Sequence, residues 1–338
     1  MERKKRAVAL FSGGLDSILA AKLIMNQGIE VVGLHIKTGF HSEDVKERLG
    51  LIEDKENLPI YRAAKEINLP LVEVDISSDY CEVIANPKYG YGKNANPCID
   101  CKIKFLQTAK QFMEKEGFDF VITGDVVGQR PMSQNLPTLR LIEKEAGLEG
   151  LVVRPLSAKL LPPTIPEIKG WIDREKLLDI KGRGRERQLQ LAKEFGLTYI
   201  PQPAGGCLLT MEEIGKKIFD QLNRRQWDCD IATLIPIGRH FRLPSGVKVI
   251  VARNKEEVFY LRKFQNRWYL FKPTTKGTVA LLLKEAPPTE EEKKLVAGLV
   301  ARYSKNQPKK VEIFHKNRKL ETVEGIPLKQ EEIEKLRI

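Results

Sequence analysis

Two places in the sequence hold residues able to do chemistry. The first is the run Ser12-Gly13-Gly14-Leu15-Asp16-Ser17, which follows the apolar stretch Ala7 to Leu10 and leads into a helix-like segment. A strand, a glycine turn and a helix start bring backbone N–H groups and the positive end of a helix to one point, where an anion such as phosphate is favoured. Glycines let the backbone approach that anion and take positive φ. Ser12 and Ser17 add hydroxyl donors, and Asp16 in the first turn can hold Mg²⁺ or cap the helix. A plain strand-to-helix turn would use the same residue types. The Walker ending and the Gly-x-Gly-x-x-Gly spacing are both missing.

The second place is the set of cysteines, Cys81, Cys98, Cys101, Cys207 and Cys229. An odd number points to thiol or metal chemistry. Cys98 and Cys101 form a C-x-x-C in "NPCIDCKIKF", just ahead of a helix, and Cys207 lies in the Gly/Pro loop "YIPQPAGGCLLT". Three thiolates suit an iron–sulfur cluster with one iron left open, and that iron can carry sulfide. A persulfide relay needs only two of them, such as Cys101 with Cys207. Zinc normally takes four protein ligands, and His35, His41, His240 and His315 offer no paired spacing. A thioredoxin-like redox pair or three unreactive core thiols complete the alternatives. Cys81 and Cys229 lack such context and read as structural.

Elements that position these residues follow from the apolar pattern. Short β-branched runs at Ala7 to Phe11, Val31 to Ile36, Leu71 to Ile76 and Phe120 to Thr123 alternate with helix-like segments at Ser17 to Gln27, Glu53 to Ile67 and Ile103 to Glu116. That rhythm predicts an α/β fold with a parallel, doubly wound sheet. Gly28 and Gly117 stand where helix C-caps are expected, and Pro59 marks a break. "LLPPTIP" then interrupts the pattern, ahead of a charged stretch with Lys181, Arg183, Arg185 and Arg187 around glycines. From about Ile231 the texture changes to hairpin-like strands, "HFRLPSGVKVIVARN" and "RWYLFKP", with a helix near Thr289 to Ser304. The expected division is a catalytic domain over 1–160, an adaptor carrying Cys207 over 161–230, and a smaller basic α+β domain over 231–338.

Charge follows the same division. The chain of 338 residues carries +12, and residues 231–338 hold 23 Lys and Arg against 12 Asp and Glu. A near-neutral body with a basic appendage fits a polyanionic partner such as RNA, or a Lys-rich solvated surface. No run approaches the roughly 18 to 20 apolar residues of a membrane span, and the charged N-terminus reads unlike a secretory leader. The expectation is a cytoplasmic protein with no membrane partner.

The six-residue loop resembles the PP-loop of the adenine-nucleotide pyrophosphatase superfamily, whose members split ATP between the α and β phosphates to adenylate a carbonyl oxygen. ATP binding at Ser12, Gly13, Gly14, Asp16 and Ser17 is what that resemblance implies. "NPCIDCKIKF" is similar to the cysteine loop of the tRNA thiolation branch, the 4-thiouridine synthetases and 2-thiouridylases. The C-x-x-C…C layout resembles its iron–sulfur-dependent members, which implies Cys98, Cys101 and Cys207 as ligands of a [4Fe-4S] cluster, with a persulfide on the Cys101/Cys207 pair as the other route. "VITGDVVGQRPMSQN" resembles that branch's second loop, so Gly124, Asp125 and Gln129 are implied to touch ATP or the uridine, with Arg130 nearby for phosphate. Asp16 and Asp125 join the three cysteines as catalytic candidates. The post-sheet segment adds Arg154, Ser157 and Lys159 as candidates to face substrate. The last hundred residues loosely resemble a small RNA-binding domain of ribosome-associated quality-control proteins, with Phe241, Phe264, Trp268 and Tyr269 among Arg239, Arg242, Arg253, Arg262 and Arg267 as the stacking and phosphate contacts.

The implied activity is an ATP-dependent tRNA sulfurtransferase with tRNA and a sulfur donor (sulfide, a sulfur carrier or a cysteine desulfurase) as partners. Homodimerisation stays open. Rival readings are a PP-loop ligase forming an amide or amidine, which has no use for three cysteines, and a non-enzymatic RNA-binding protein, which has no use for an intact loop.

Overall fold

The computed structural model describes residues 3–201 and 206–338. Residues 1–2, at the start of the charged N-terminus, and residues 202–205 of the loop ahead of Cys207 lie outside the described residues. The chain forms two compact units, Met1–Asp44 with Ile52–Met211, and Val45–Leu51 with Glu212–Ile338.

In the first unit, β1 (Arg6–Leu10), β2 (Glu30–Lys37), β3 (Leu71–Asp75), β4 (Phe120–Ile122) and β5 (Val152–Val153) make one sheet in the order β3-β2-β1-β4-β5. Every neighbouring pair is parallel. Successive side chains point to opposite faces. Ala7, Ala9, Phe120, Ile122 and Val153 therefore join a core with the helices Leu15–Met25, Pro59–Glu66 and Glu186–Glu194. Val8, Leu34, Val121 and Val152 pack on the other face against Cys98–Glu116 and Leu136–Ala146. Coverage on both faces is why β1 reads as an unbroken apolar run. After β1 the chain moves to one side of the sheet, and with β4 it resumes on the other. Beyond the carboxyl ends of β1 and β4 this leaves the crevice where open α/β sheets bind ligands.

Element edges differ from the sequence pattern in informative ways. The helix expected from Ile103 begins at Cys98, with Pro97 as its N-cap, so both cysteines of the C-x-x-C occupy its first turns. Asp100 holds that start in place by accepting hydrogen bonds from the Lys88 and Tyr89 backbone N–H groups, at 2.8 and 3.1 Å. Gly117 ends the helix in the left-handed conformation, as its position predicts. The first helix stops at Met25 with Asn26 as cap, short of Gly28. Strand β5 is two residues long, too short for a periodic signal.

In the second unit, β6 (Arg239–Arg242), β7 (Lys248–Val251), β8 (Tyr269–Pro273), β9 (Ala280–Leu282), β10 (Lys310–His315) and β11 (Arg318–Glu324) form an antiparallel sheet in the order β11-β10-β8-β9-β7-β6. Helices Glu290–Tyr303 and Gln330–Leu336 cover one face, and Cys229–Leu234 with Lys255–Arg262 cover the other. Thr289 and Glu292 close a capping box at the start of the Glu290 helix.

One cation lies deep in this unit. Lys248 is 2% exposed, with Nζ 3.2 Å from Asp220 Oδ2 and 3.3 Å from the Lys217 carbonyl oxygen. Burial pushes its pKa down to about 7, and Arg242 and Lys217 push the same way against Asp220. The unfolded chain keeps its lysines near 10.4, so between about 7 and 10 it binds a proton that the folded unit has released. Stability therefore rises with pH through that window. Burial likewise lowers Lys217, to about 8. Urea denaturation of the full chain followed by tryptophan fluorescence should give a higher midpoint at pH 9.5 than at pH 7, and Lys248→Met should flatten the rise. An equal rise in parent and variant would refute this account.

Candidate active site at the switch point of the parallel sheet

The loop after β1 presents a helix start that no side chain caps. Gly14 is the N-cap of Leu15–Met25 and makes no side-chain cap bond, which leaves first-turn N–H groups for an anion. Ser17 Oγ donates to the Gly14 carbonyl at 2.8 Å, and Ser12 Oγ accepts from the Gly14 N–H at 3.3 Å. Gly13 sits at φ +72°, and a Cβ there would meet the Ile60 Cα at 2.9 Å. Both constraints make it a glycine.

The loop after β4 lies directly on this turn. A Cβ on Gly124 would stand 2.7 Å from the Asp16 carbonyl carbon and the Ser17 nitrogen. Gln129 Nε2 donates to Asp16 Oδ2 at 2.9 Å, so two residues expected to serve one nucleotide are bonded to each other. Asp125 accepts from Gln134 Nε2 at 2.8 Å and Thr123 Oγ1 at 3.0 Å, pairs with Lys102, and lies 3.8 Å from Arg154 Nε. Burial alone would raise its pKa, but Lys102 and Arg154 hold the carboxyl well below the usual range. An anion neutralised this way is a poor base, and it orients its partners instead.

Lys102 follows Cys101, so its pairing with Asp125 draws the first turns of Cys98–Glu116 to the crevice. The hydroxyl of Tyr80, itself 2% exposed, hydrogen-bonds the Cys101 thiol. Asn96 Nδ2 donates to Cys98 Sγ at 3.1 Å. Cys207 pairs in a β-bridge with His41, framed by Ser42 N–H to the Gly206 carbonyl at 2.9 Å and Leu208 N–H to the Phe40 carbonyl at 2.9 Å. The His41 ring pairs with Glu43 and lies against Gly206.

Cys98, Cys101 and Cys207 are free thiols that influence one another. Burial pushes Cys101 up to about 12, Tyr80 lowering it and the other two thiols raising it. Cys207 is exposed as a residue, yet desolvation of its sulfur raises its pKa too, with Cys98 adding to the rise and Arg130 opposing it. Among the described residues no three His, Cys, Asp or Glu side chains converge on a point that would hold a single metal ion. By donor chemistry three cysteine sulfurs, once deprotonated, are the ligand type an iron–sulfur cluster takes.

The structure thus brings Asp16, Gly124, Asp125, Gln129 and the helix start bearing Cys98 and Cys101 into one connected network, with Cys207 held beside His41. Other expectations change. Ser157 is fully buried, accepting from the Val127 N–H at 3.0 Å and donating to the Ile180 carbonyl at 2.6 Å, and Arg154 is 3% exposed and paired with Glu143. Lys159 Nζ bonds the Glu175 carbonyl at 2.9 Å. Ser157 and Arg154 hold the fold, whereas Lys159 is exposed. Tyr80, Lys102 and Gln134 have no signal in the sequence, because each meets its partner only through the fold, and the place of His41 beside Cys207 is likewise set by the fold.

The expected RNA contacts of the second unit change as well. Phe241, Trp268 and Tyr269 are core residues at 0%, 3% and 4% exposure, and Phe264 packs between Tyr260 and Trp268. Arg242 pairs with Asp220, Arg253 with Glu257, and Arg267 with Asp228 and Asp230. The aromatic left facing solvent is Phe259, 55% exposed, with Lys255 Nζ 5.8 Å from its ring centre.

Comparison with known proteins bears on both units. Residues 3–159 match the family model described as thiamine biosynthesis protein (ThiI), and residues 238–337 match the NFACT protein RNA binding domain. The tRNA-specific 2-thiouridylase MnmA 1 of Clostridium tetani is 35% identical over 132 residues, which cover 36% of this chain and 34% of that protein. A protein of Thermococcus kodakarensis named "Probable tRNA sulfurtransferase" is 26% identical over 197 residues, 58% of this chain and 45% of the relative. The tRNA-specific 2-thiouridylase MnmA of Karelsulcia muelleri is 30% identical over 141 residues, 39% and 34% of the two chains. The chain spans less than half the length of each of these relatives. Over residues 3–159 the chain is therefore similar to the ThiI family, and over residues 238–337 to the NFACT RNA-binding domain.

Proposed function

We propose that the chain is an ATP-dependent tRNA sulfurtransferase that replaces a uridine carbonyl oxygen with sulfur. The observation that carries the reading is an uncapped phosphate loop at the switch point of the sheet, to which the helix start bearing the free thiols Cys98 and Cys101 is tied through Lys102 and Asp125. The relatives' printed names support the same activity.

In the first step the uridine oxygen bonds to the α-phosphorus of ATP and pyrophosphate leaves. In the second, sulfur bonds to the uridine carbon, and the carbon–oxygen bond breaks with AMP as leaving group. The first turn of Leu15–Met25 and the Ser12 and Ser17 hydroxyls receive the phosphates. Asp16, oriented by Gln129, would be the carboxylate that holds Mg²⁺ for them. Asp125 keeps Lys102 in place, which fixes Cys98 and Cys101 beside the nucleotide. Cys98, Cys101 and Cys207 would hold a [4Fe-4S] cluster, which when bound would supply an open iron for sulfide. The persulfide alternative uses Cys101 and Cys207 and leaves them as a disulfide that a reductant must reopen. Residues 1–160 then activate the base, 161–230 bring Cys207, and 231–338 hold the RNA. Phe259 stacks on an unpaired base there while Lys255 and the half-buried Arg262 face phosphates.

Three outcomes are expected. Asp16→Ala should lower AMP formation by about 100-fold or more while tRNA affinity is kept, and unchanged turnover would remove the nucleotide assignment. Protein purified without oxygen should show broad visible absorbance with bound iron and sulfide, lost in Cys98→Ser; a colourless, iron-free preparation of full activity would replace the cluster with the persulfide route. Phe259→Ala should weaken tRNA binding by roughly 1 to 3 kcal/mol in a filter-binding titration, whereas parental affinity would exclude stacking at that ring.

A further inference from the structure

The basic segment Lys181-Gly182-Arg183-Gly184-Arg185 has no part in the chemistry above, yet it is fastened to the loop that carries Gln129. The Gly182 N–H donates to the Val127 carbonyl at 2.8 Å, and Lys181 pairs with Val127 in a parallel bridge. The buried Ser157 hydroxyl ties the same two strands of chain together, bonding Val127 N–H on one side and the Ile180 carbonyl on the other. Two residues beyond Val127, Gln129 reaches Asp16. The backbones run close, since a Cβ on Gly128 would stand 3.6 Å from the Gly182 nitrogen, and both glycines have positive φ, +77° and +81°. The segment is held at a fixed place on the rim of the nucleotide site.

Its charges are uncompensated. Lys181 and Arg183 are exposed and Arg185 is half-buried. None of the three makes a side-chain hydrogen bond or ion pair with a described residue, whereas Arg6, Arg154 and Arg174 of the same unit pair with Glu30, Glu143 and Glu167. In the proposed reading the phosphates of one nucleotide take the uncapped helix start and the serines beside it. Three further cations facing outward suit a polyanion that extends beyond the crevice, and phosphate contacts of this kind set register on a nucleic acid.

We propose that Lys181, Arg183 and Arg185 grip the phosphate backbone of the substrate RNA beside the target uridine, so that the catalytic unit has an RNA contact of its own. The proposal rests on the reading of the chain as a tRNA-thiolating enzyme.

The test compares the full-length parent with a variant carrying Lys181→Gln, Arg183→Gln and Arg185→Gln, using tRNA binding against salt, KM for tRNA and ATP affinity. A control variant, Lys65→Gln with Lys144→Gln and Lys193→Gln, removes the same charge from exposed positions of the same unit. The loop variant should fold with the parent's thermal midpoint, lower the slope of log affinity against log salt by about 2, and raise KM for tRNA with ATP affinity unchanged. Arg183→Lys with Arg185→Lys should restore the slope. Parental slope and KM in the loop variant, an equal loss in the control, or a fall in ATP affinity with RNA binding intact would each overturn the proposal. A parent chain that binds no tRNA would instead overturn the thiolation reading, and this contact with it.

Discussion

The site depends on a backbone lying against a backbone. Gly124 offers no side chain, so the loop after β4 can lie on the Asp16–Ser17 peptide, where any Cβ would come within 2.7 Å. The start of that loop is placed by this contact, and Ser157 and Gly182 hold it further on through Val127. Together they put Gln129 within 2.9 Å of Asp16 and leave Asp125 where Lys102 can reach it. Lys102 then fixes the start of the helix that carries Cys98 and Cys101. A close approach of this kind tolerates almost no displacement, because packed interiors lack space to relax into. The phosphate loop and the thiols are therefore set relative to each other by a rigid chain of contacts within one unit.

The electrostatics of that chain separate its charges from its thiols. Lys102 stands next to Cys101 in sequence, but its ammonium pairs with Asp125, and its charge influences Cys101 less than burial, Tyr80 and the other two thiols do. Burial therefore wins, and the thiol stays protonated at neutral pH. A protonated thiol is a weak nucleophile and a weak ligand. Sulfur chemistry here needs a further positive charge or a delivered sulfur, which matches a site that acts only when loaded. Asp125 shows the opposite balance, because two cations and two hydrogen bonds outweigh its desolvation.

What could be read from sequence divides along the range of the interactions. The phosphate loop, the Gly117 cap, the β6–β7 hairpin and the helix behind Thr289 are encoded by residues within a turn or two of each other. Pairings across the fold, such as Lys102 with Asp125 or Tyr80 with Cys101, leave no local trace. The aromatic and basic alternation of the second unit was legible as a strand pattern, but not as to which face meets water. Tyr269 and Phe271 point to one core and Leu270 to the other, so both faces of β8 are covered and its rings have no route to a base. Phe259 lies on a helix, where one exposed aromatic among charged neighbours makes no pattern at all.

Net charge overstates what an RNA would feel. Of the basic surplus beyond Ile231, Arg242, Arg253, Arg267, Lys284 and Lys293 are bound to carboxylates, and Lys248 is buried with a lowered pKa. A paired cation releases no counterion when a phosphate approaches, since its partner must first be displaced. Affinity then rests on the unpaired minority, and their placement counts for more than their number. Under that condition a few free cations on a near-neutral catalytic unit carry weight out of proportion to its charge. In the proposed reaction the second unit would hold an RNA at many points, but placing one uridine oxygen at the α-phosphorus would require a contact fixed to the same backbone that holds Asp16, and Lys181 with its neighbours is fastened to that backbone through Val127.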